Sequence, residues 1–278
     1  MTPNDSPPPL ADLIRRATLA DGSPPFSDGA LVDPEREVVW LGPAAALVSP
    51  TEAEFVVDPD ARAQGHGTRM LEALLGSSDM LFWAHGDHPA ARSLAASHGL
   101  RAVRELLHLE APVPQAVTEP VADQISIRRW SAYSIGDSDA WLDLNGRAFA
   151  AHPEQGAVTR ADLDALTAEQ WFDADDFLLL WEAGELIGYC WLKVEGGEGE
   201  FYVVGVSPDR QGEGLGRRLV EAGFARLKSR GIRTAHLYVE GVNAPALHLY
   251  ESFGFTRRSI DVQYLWPAPP VDGSDVAP

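Results

Sequence analysis

Short hydrophobic runs separated by glycine-containing turns fill residues 177–206. Phe177–Trp181 and Leu186–Lys193 flank the turn Ala183-Gly184, and Glu200–Val206 follows Gly196-Gly197. Runs of this length, rich in branched and aromatic side chains and bounded by such turns, are typical of strands joined as hairpins. This part of the chain therefore predicts a meander of three strands.

The hydrophobic positions then change to a helical period. Leu215, Leu219, Ala222 and Leu227 recur near helical spacing, and Gly231 is typical of a helix end. The following elements are predicted to be a strand at Thr234–Val239, a helix at Ala244–Phe253 closed by Gly254, and a strand at Phe255–Leu265.

The first half of the chain predicts a similar order of elements. These are strands near Val38, Ala46 and Phe55, a helix at Thr68–Leu75, a strand at Met80–Ala84, a helix at Ala90–His98 and a strand at Ala102–Leu109. Local sequence repeats as well, because Val57–Gly67 matches Val206–Gly216 and Trp83–Leu100 matches Tyr238–Phe255. We therefore expect two tandem copies of one α/β fold, each a mixed, mostly antiparallel sheet flanked by helices.

The length of 278 residues also favours two domains. Residues 111–124 contain Pro112, Pro114 and Pro120 without a hydrophobic period, which is typical of a linker. We expect an N-terminal domain at 10–112, a linker at 113–124, a C-terminal domain at 125–267 and a disordered tail at 268–278.

Charge and composition restrict the possible partners. The formal net charge of −19 argues against a nucleic-acid-binding protein, which needs a basic face. No stretch approaches the roughly 20 apolar residues of a membrane span, and no His, Cys or Asp cluster has metal-ligand spacing. The single cysteine, Cys190, cannot form an intrachain disulfide. We expect a cytoplasmic monomer that holds no metal.

The segment Gln211–Gly216 joins a predicted strand to a predicted helix. Its glycines let successive amides turn inward, and the helix N-terminus adds unpaired N–H groups, so the segment could cradle a phosphate. A ligand-free tight turn explains an isolated match equally well. A P-loop is excluded because Gly216 precedes Arg217 rather than Lys, and a dinucleotide fold would need a parallel βαβ unit.

Val-x-Pro followed by Gln/Arg-x-x-Gly-x-Gly resembles the acyl-CoA pyrophosphate loop of the GNAT superfamily, and both halves of the chain fit it. The resemblance implies that acetyl-CoA is the co-substrate and that the strand before the loop splays from its neighbour to pair with the pantetheine. The implied cofactor residues of the second half are Val204, Gly205, Val206, Gln211, Gly212, Glu213, Gly214, Leu215, Gly216, Arg217, Asn243, Ala244, Pro245, Ala246, Leu247 and His248. Those of the first half are Phe55, Val56, Val57, Arg62, Gln64, Gly65, His66, Gly67 and Thr68.

The tandem halves, the segment Phe149–Gly156 and the segment Asp21–Asp28 together resemble the mycothiol synthases, a family within that superfamily. The resemblance implies transfer of acetyl from acetyl-CoA to the cysteinyl amine of a cysteine–glucosamine–inositol pseudodisaccharide, the last step of mycothiol biosynthesis. Two departures stand out: Asp28 lies where the family is expected to have a longer acid, and the segment between Arg230 and Thr234 is short.

The resemblance also implies roles for single residues. Glu200 is expected to be the general base and Tyr250 the acid that protonates the CoA sulfur, with the backbone N–H near Val204 as oxyanion donor. The implied acceptor-binding residues are Asp28, Glu154, Lys193, Glu200 and Tyr238. Each has a simpler interpretation, since Glu200 could be an exposed strand-end acid and Tyr250 a core tyrosine.

Under the repeat, Ala95 takes the place of Tyr250 and His88 that of Asn243. The first half thus keeps the loop but lacks the phenol, which predicts a domain that binds CoA, or only supports the fold, without catalysis. Two alternatives remain open. One is a tandem GNAT enzyme for another small-molecule or peptide amine, and the other is a non-catalytic acyl-CoA sensor.

Overall fold

The structure is a computed structural model that describes residues 9–116, 125–131, 135–150 and 155–267; the side chains of Asp28 and Ile135 lie outside this description. The helices are α1 (Leu10–Asp21), α2 (Asp28–Val32), α3 (His66–Leu74), α4 (Pro89–Ser97), α5 (Ile135–Ala148), α6 (Arg160–Ala168), α7 (Leu215–Ser229) and α8 (Ala244–Ser252). The strands are β1 (Glu37–Leu41), β2 (Ala44–Val48), β3 (Glu52–Val57), β4 (Met80–Ala84), β5 (Arg101–Pro112), β6 (Ile125–Arg129), β7 (Phe177–Glu182), β8 (Glu185–Glu195), β9 (Glu198–Val206), β10 (Thr234–Glu240) and β11 (Thr256–Trp266).

These elements form two compact units. The first comprises the described residues within Met1–Leu107, Glu240–Val242 and Ser259–Pro278, and the second those within His108–Val239 and Asn243–Arg258. The boundaries that the sequence predicts at 112, 124 and 267 stay predictions, and most of the predicted linker and all of the predicted tail lie outside the described residues.

In the first unit, β1, β2 and β3 form an antiparallel meander. Strand β4 runs parallel to β3, and its other edge pairs antiparallel with β11 from Val262 to Trp266. The β3–β4 ladder ends at Glu54, so Phe55–Val57 leave β4. The core on one face of the sheet joins α1 to the strands through residues that include Leu13, Phe26 and Val56.

In the second unit, β6, β7, β8 and β9 are successively antiparallel, and β10 lies parallel to β9. The β8–β9 register shifts between Trp191 and Leu192, which leaves Tyr202 as the extra residue of a bulge. An aromatic core under α5 and α6 includes the fully buried Trp141, Tyr189 and Trp191.

The predicted repeat of a mixed α/β fold, with each sheet mostly antiparallel and flanked by helices, is confirmed by this architecture. Strand β4 has its predicted bounds, whereas α3 begins at His66, two residues before the predicted start. Helix α6, which the hydrophobic pattern did not predict, begins with a reciprocal capping box between Thr159 and Asp162. Helix α1 was not predicted either, although its apolar residues Leu10, Leu13, Ile14 and Ala17 recur at helical spacing.

Candidate active site

The glycine-rich loop of the second unit joins β9 to α7. Gly212 and Gly214 have φ of 84° and 79°, a left-handed conformation that residues with a Cβ rarely adopt. Gly214 is the N-cap of α7, and the first amide to bond back to it is that of Arg218, at 3.2 Å from the Gly214 carbonyl oxygen. The amides of Leu215–Arg217 are therefore first-turn donors at the positive end of the helix, a suitable site for a phosphate.

The arginines beside this loop contribute unequally to its charge. Arg210 donates to Glu182 at 2.6 Å and to Glu213 at 2.8 Å, so two carboxylates already match its charge. Arg217 lies over the ring of Phe253 at 4.8 Å, donates to the Ser252 hydroxyl at 2.9 Å and lies 3.9 Å from the carboxylate of Glu221. Positive potential for an anionic ligand thus comes mainly from the helix N-terminus, and Arg217, with its longer carboxylate contact, adds more to it than Arg210 does.

Strand β9 opens on one edge next to the loop. On the β8 side, Val204, Gly205 and Val206 pair with Cys190, Tyr189 and Gly188. On the β10 side, the ladder is confined to Gly199 and Glu200. The backbone of β9 from Tyr202 to Val206 thus presents an open edge to which an extended amide-containing chain can pair.

Glycine at position 205 is required by the close approach of a neighbouring ring. A Cβ there would lie 2.5 Å from Cε1 of Tyr189, whose side chain is fully buried. Tyr189 cannot give way easily, because its hydroxyl donates to Asn145 Oδ1 at 2.6 Å. Strand β9 therefore packs closely against a rigid aromatic core at Gly205, within the segment whose other edge is open.

Tyr250 lies on α8, a helix whose N-cap is Asn243. The side-chain Oδ1 of Asn243 accepts a hydrogen bond from the amide of Ala246 at 3.2 Å. Tyr250 is 8% exposed, and its ring packs edge-on against Phe255 with centroids 5.6 Å apart. Burial raises the pKa of Tyr250 above its usual value near 10, so the hydroxyl keeps its proton at neutral pH. It is chemically suited to donate that proton to a thiolate.

Three of the predicted acceptor residues lie on one face of the second unit's sheet. Glu200 on β9 is directly opposite Lys193 on β8 and His236 on β10, and opposed residues share a face. Tyr238 follows His236 by two residues, so it points to the same side, and it stacks on His108 at 4.5 Å. Glu154 and the side chain of Asp28 lie outside the described part of the chain.

Sequence reasoning missed two aromatic residues on this face. Tyr202, the bulge residue, has its pKa raised by burial and then by the carboxylates of Glu200 and Glu169. Trp171 packs its ring on Tyr202 at 5.3 Å, and the Lys193 ammonium lies 5.3 Å from the Trp171 ring centroid. Trp171 lies between α6 and the short 3₁₀ helix Ala174–Asp176, outside the motifs that the sequence analysis recognised.

The first unit has a corresponding loop with a cavity of about 450 Å³ beside it. Its lining includes the predicted cofactor residues Phe55, Val57, Gly65, His66 and Thr68. Gly65 is the N-cap of α3 with φ of 79°, as Gly214 is for α7. Arg62 donates to both carboxylate oxygens of Asp21, at 2.6 and 2.8 Å, so its charge is matched within the unit. Ala95, at the position of Tyr250, offers no proton.

Other candidate chemistry is limited in the part of the chain that the structure describes. Cys190 is fully buried and burial raises the pKa of its thiol, which makes it unreactive. No group of three or more His, Cys, Asp or Glu in the described ranges could hold a metal ion. None of the helices described has the length and apolar character needed to cross a membrane.

The chain is similar in sequence and in fold to known acetyltransferases. A family model described as "Acetyltransferase (GNAT) family" matches residues 139–255. A mycothiol acetyltransferase of Clavibacter michiganensis subsp. michiganensis is 43% identical, covering 92% of this chain and 92% of the relative. Another, of Kytococcus sedentarius, is 44% identical and covers 98% of this chain and 96% of the relative. A solved tandem GNAT protein from the clavulanic acid biosynthesis pathway has a TM-score of 0.65 at 15% identity, covering 95% of both chains.

Proposed function

Because the chain belongs to the mycothiol acetyltransferase family, we propose that it moves acetyl from acetyl-CoA to the cysteinyl amine of cysteine–glucosamine–inositol. The observation that carries the proposal is the open edge of β9, which begins beside Glu200 and ends at the phosphate-type loop. A thioester arm laid along that edge has its acyl end near a carboxylate and its phosphates near a helix N-terminus.

The cofactor is held mainly by backbone groups in this proposal. Val204–Val206 pair with the pantetheine, the segment Gln211–Arg217 cradles the pyrophosphate, and Asn243–His248 at the start of α8 border the arm. Main-chain donors and one arginine suffice for an anionic ligand because a helix N-terminus concentrates positive potential locally, despite the net charge of −19.

Acetyl transfer then needs a base, an oxyanion donor and an acid. Glu200 takes the proton of the cysteinyl ammonium through a water, and the neutral amine attacks the thioester carbonyl. The N–H near Val204 stabilises the oxyanion, and the Tyr250 hydroxyl protonates the departing thiolate as the C–S bond breaks. The nitrogen loses its second proton to solvent as the amide forms, and the phenol regains a proton from solvent. An α-amino group has a pKa near 8, so its deprotonation costs only about 1 kcal/mol at neutral pH.

Acceptor recognition is assigned to five residues. Lys193, Glu200 and Tyr238 share one sheet face of the second unit, and Asp28 and Glu154 are proposed as acceptor-binding residues from the family resemblance. Charged and hydroxyl-bearing side chains around an aromatic surface suit a polyhydroxylated amine.

The first unit is proposed to bind acyl-CoA without turning it over. Its cavity beside Phe55–Val57 and Arg62–Thr68 supports binding, and Ala95 in place of the phenol argues against catalysis. The division predicts one catalytic site for each chain.

Mass spectrometry of the product formed from acetyl-CoA and the cysteinyl pseudodisaccharide tests the proposal. A mass increase of one acetyl group, located on the cysteinyl nitrogen by fragmentation, is the expected result. Turnover only with other amines would identify a tandem GNAT enzyme of different specificity, and CoA binding with no turnover on any amine would identify a sensor.

A further inference from the structure

Trp171 is placed differently from the tryptophans of the core. Trp141 and Trp191 are fully buried, whereas Trp171 is only partly buried and lies in a turn between two helices. Its ring rests on Trp191 at 5.9 Å and on Tyr202 at 5.3 Å. Two aromatic neighbours thus hold the indole in one orientation while part of its surface stays accessible.

The neighbours of this indole connect it to the acceptor face. Lys193 places its ammonium 5.3 Å from the ring centroid, within the range of a cation–π contact. Lys193 is opposite Glu200, and the carboxylate of Glu200 acts on the pKa of Tyr202, the other partner of Trp171. Trp171 therefore borders the place where the proposed base and the proposed acceptor lysine meet.

A sugar presents two kinds of surface to a protein. Its hydroxyl rim needs hydrogen-bonding groups, whereas the C–H faces of the ring are apolar and fit a flat aromatic surface, whose electron-rich face attracts their slightly positive hydrogens. A rigid, partly exposed indole beside an ammonium provides both surfaces. A small amino-acid amine without a sugar would leave this indole uncovered.

We propose that Trp171 is an acceptor-binding and specificity-determining residue whose indole stacks on a sugar ring of the acceptor and orients Lys193 toward its hydroxyls. This inference rests on the proposed acetyl transfer to a sugar-bearing amine and names the side chain that selects for the sugar.

Steady-state kinetics of Trp171→Ala and Trp171→Phe test the role. Trp181→Ala is the matched control, because Trp181 in the same unit also carries a cation–π partner, Arg128, at 4.3 Å. Loss of one stacking contact and one cation–π contact predicts a rise of roughly 10- to 100-fold in the acceptor KM for Trp171→Ala. The KM of Trp171→Ala for acetyl-CoA should stay within about twofold of the wild-type value. The acceptor KM of Trp171→Phe should lie between those of the wild type and Trp171→Ala, and the acceptor KM of Trp181→Ala should match that of the wild type.

A sugarless acceptor separates sugar recognition from general damage. With cysteinamide as acceptor, Trp171→Ala should retain the wild-type kcat/KM, so the preference for the pseudodisaccharide falls by the same 10- to 100-fold. If the wild type acetylates the pseudodisaccharide, two results would overturn the inference and leave the proposed function intact. One is an equal loss of kcat/KM on both acceptors in Trp171→Ala, and the other is an acceptor KM of Trp171→Ala that equals the wild-type value.

A binding measurement without turnover tests the role of Trp171 even if the alanine variant does not fold or the enzyme transfers no acetyl. Titration with the amine-blocked pseudodisaccharide should quench tryptophan fluorescence in the wild type, and Trp171→Phe should lose that component. This measurement needs neither a folded alanine variant nor an active enzyme. A wild type that is quenched but transfers no acetyl would contradict the proposed function alone, whereas the same quench in Trp171→Phe would contradict the role of Trp171.

Discussion

The imidazole Nε2 of His85 lies 3.1 Å from Oε2 of Glu54 in the first unit. The opposite nitrogen, Nδ1, lies 3.0 Å from Asp261 Oδ2, so the ring is held between two carboxylates. Burial by itself would lower the pKa of His85, but the hydrogen bonds that the imidazolium donates to Asp261 and Glu54 outweigh it and raise the pKa to about 9. His85 is therefore a buried imidazolium that ties β3, β4 and β11 together.

This arrangement predicts a pH-dependent contribution to stability. Because the folded pKa of about 9 exceeds the unfolded value near 6.5, the contribution is complete below pH 6.5 and is lost as the pH rises through 9. Urea unfolding of the wild type and of His85→Gln should differ by up to about 3 kcal/mol at pH 6. The difference should shrink toward pH 9.5, and a difference that stays constant across this range would contradict the assignment.

Tyr250→Phe is predicted to lower kcat by roughly 10- to 1,000-fold, the range expected for loss of a general acid. The buried ring keeps its packing on Phe255, so the KM for acetyl-CoA should change little. Single-turnover kinetics provides the measurement, because it isolates the chemical step from product release. An unchanged single-turnover rate would rule out Tyr250 as the acid.

Local signals made the two glycine-rich strand-to-helix turns predictable from the sequence. Gly65 and Gly214 are each a helix N-cap with positive φ, a conformation that glycine adopts without strain. The His85 cluster could not be predicted in this way, because its carboxylates lie 31 and 176 positions away in the sequence. The role of Trp171 could not be predicted either, because it depends on contacts with Lys193 and Tyr202, which the β8–β9 register brings beside it.

Gly214→Val is predicted to abolish acetyl transfer, and Gly65→Val to leave it largely intact. Both glycines have φ of 79°, so valine strains the two backbones alike and the pair controls for the cost in folding. The physical difference is that α8 of the second unit carries Tyr250, whereas Ala95 occupies the corresponding position of the first unit. Turnover is measured on variants whose folding is verified by circular dichroism, and equal losses in two folded variants would mean that both units are catalytic.

The last prediction concerns which acceptor atom receives the acetyl group. A cysteinyl acceptor offers a thiol of pKa near 8.5 and an amine of pKa near 8, so ionisation discriminates poorly between them. Attack by the thiol only exchanges one thioester for another and is readily reversed, whereas attack by the amine gives an amide and is strongly downhill. Selectivity in the enzyme must therefore come from position.

Lys193 and Glu200, opposed on β8 and β9, would hold the acceptor so that its amine faces the thioester carbonyl, and such placement can outweigh intrinsic nucleophilicity. An acceptor with serine in place of cysteine should therefore remain a substrate, because its amine is unchanged. An acceptor with a blocked amine and a free thiol should give no stable product by mass spectrometry. Rapid enzyme-dependent acetylation of that blocked compound would instead identify a thiol acyltransferase, since only the sulfur would then be available to attack.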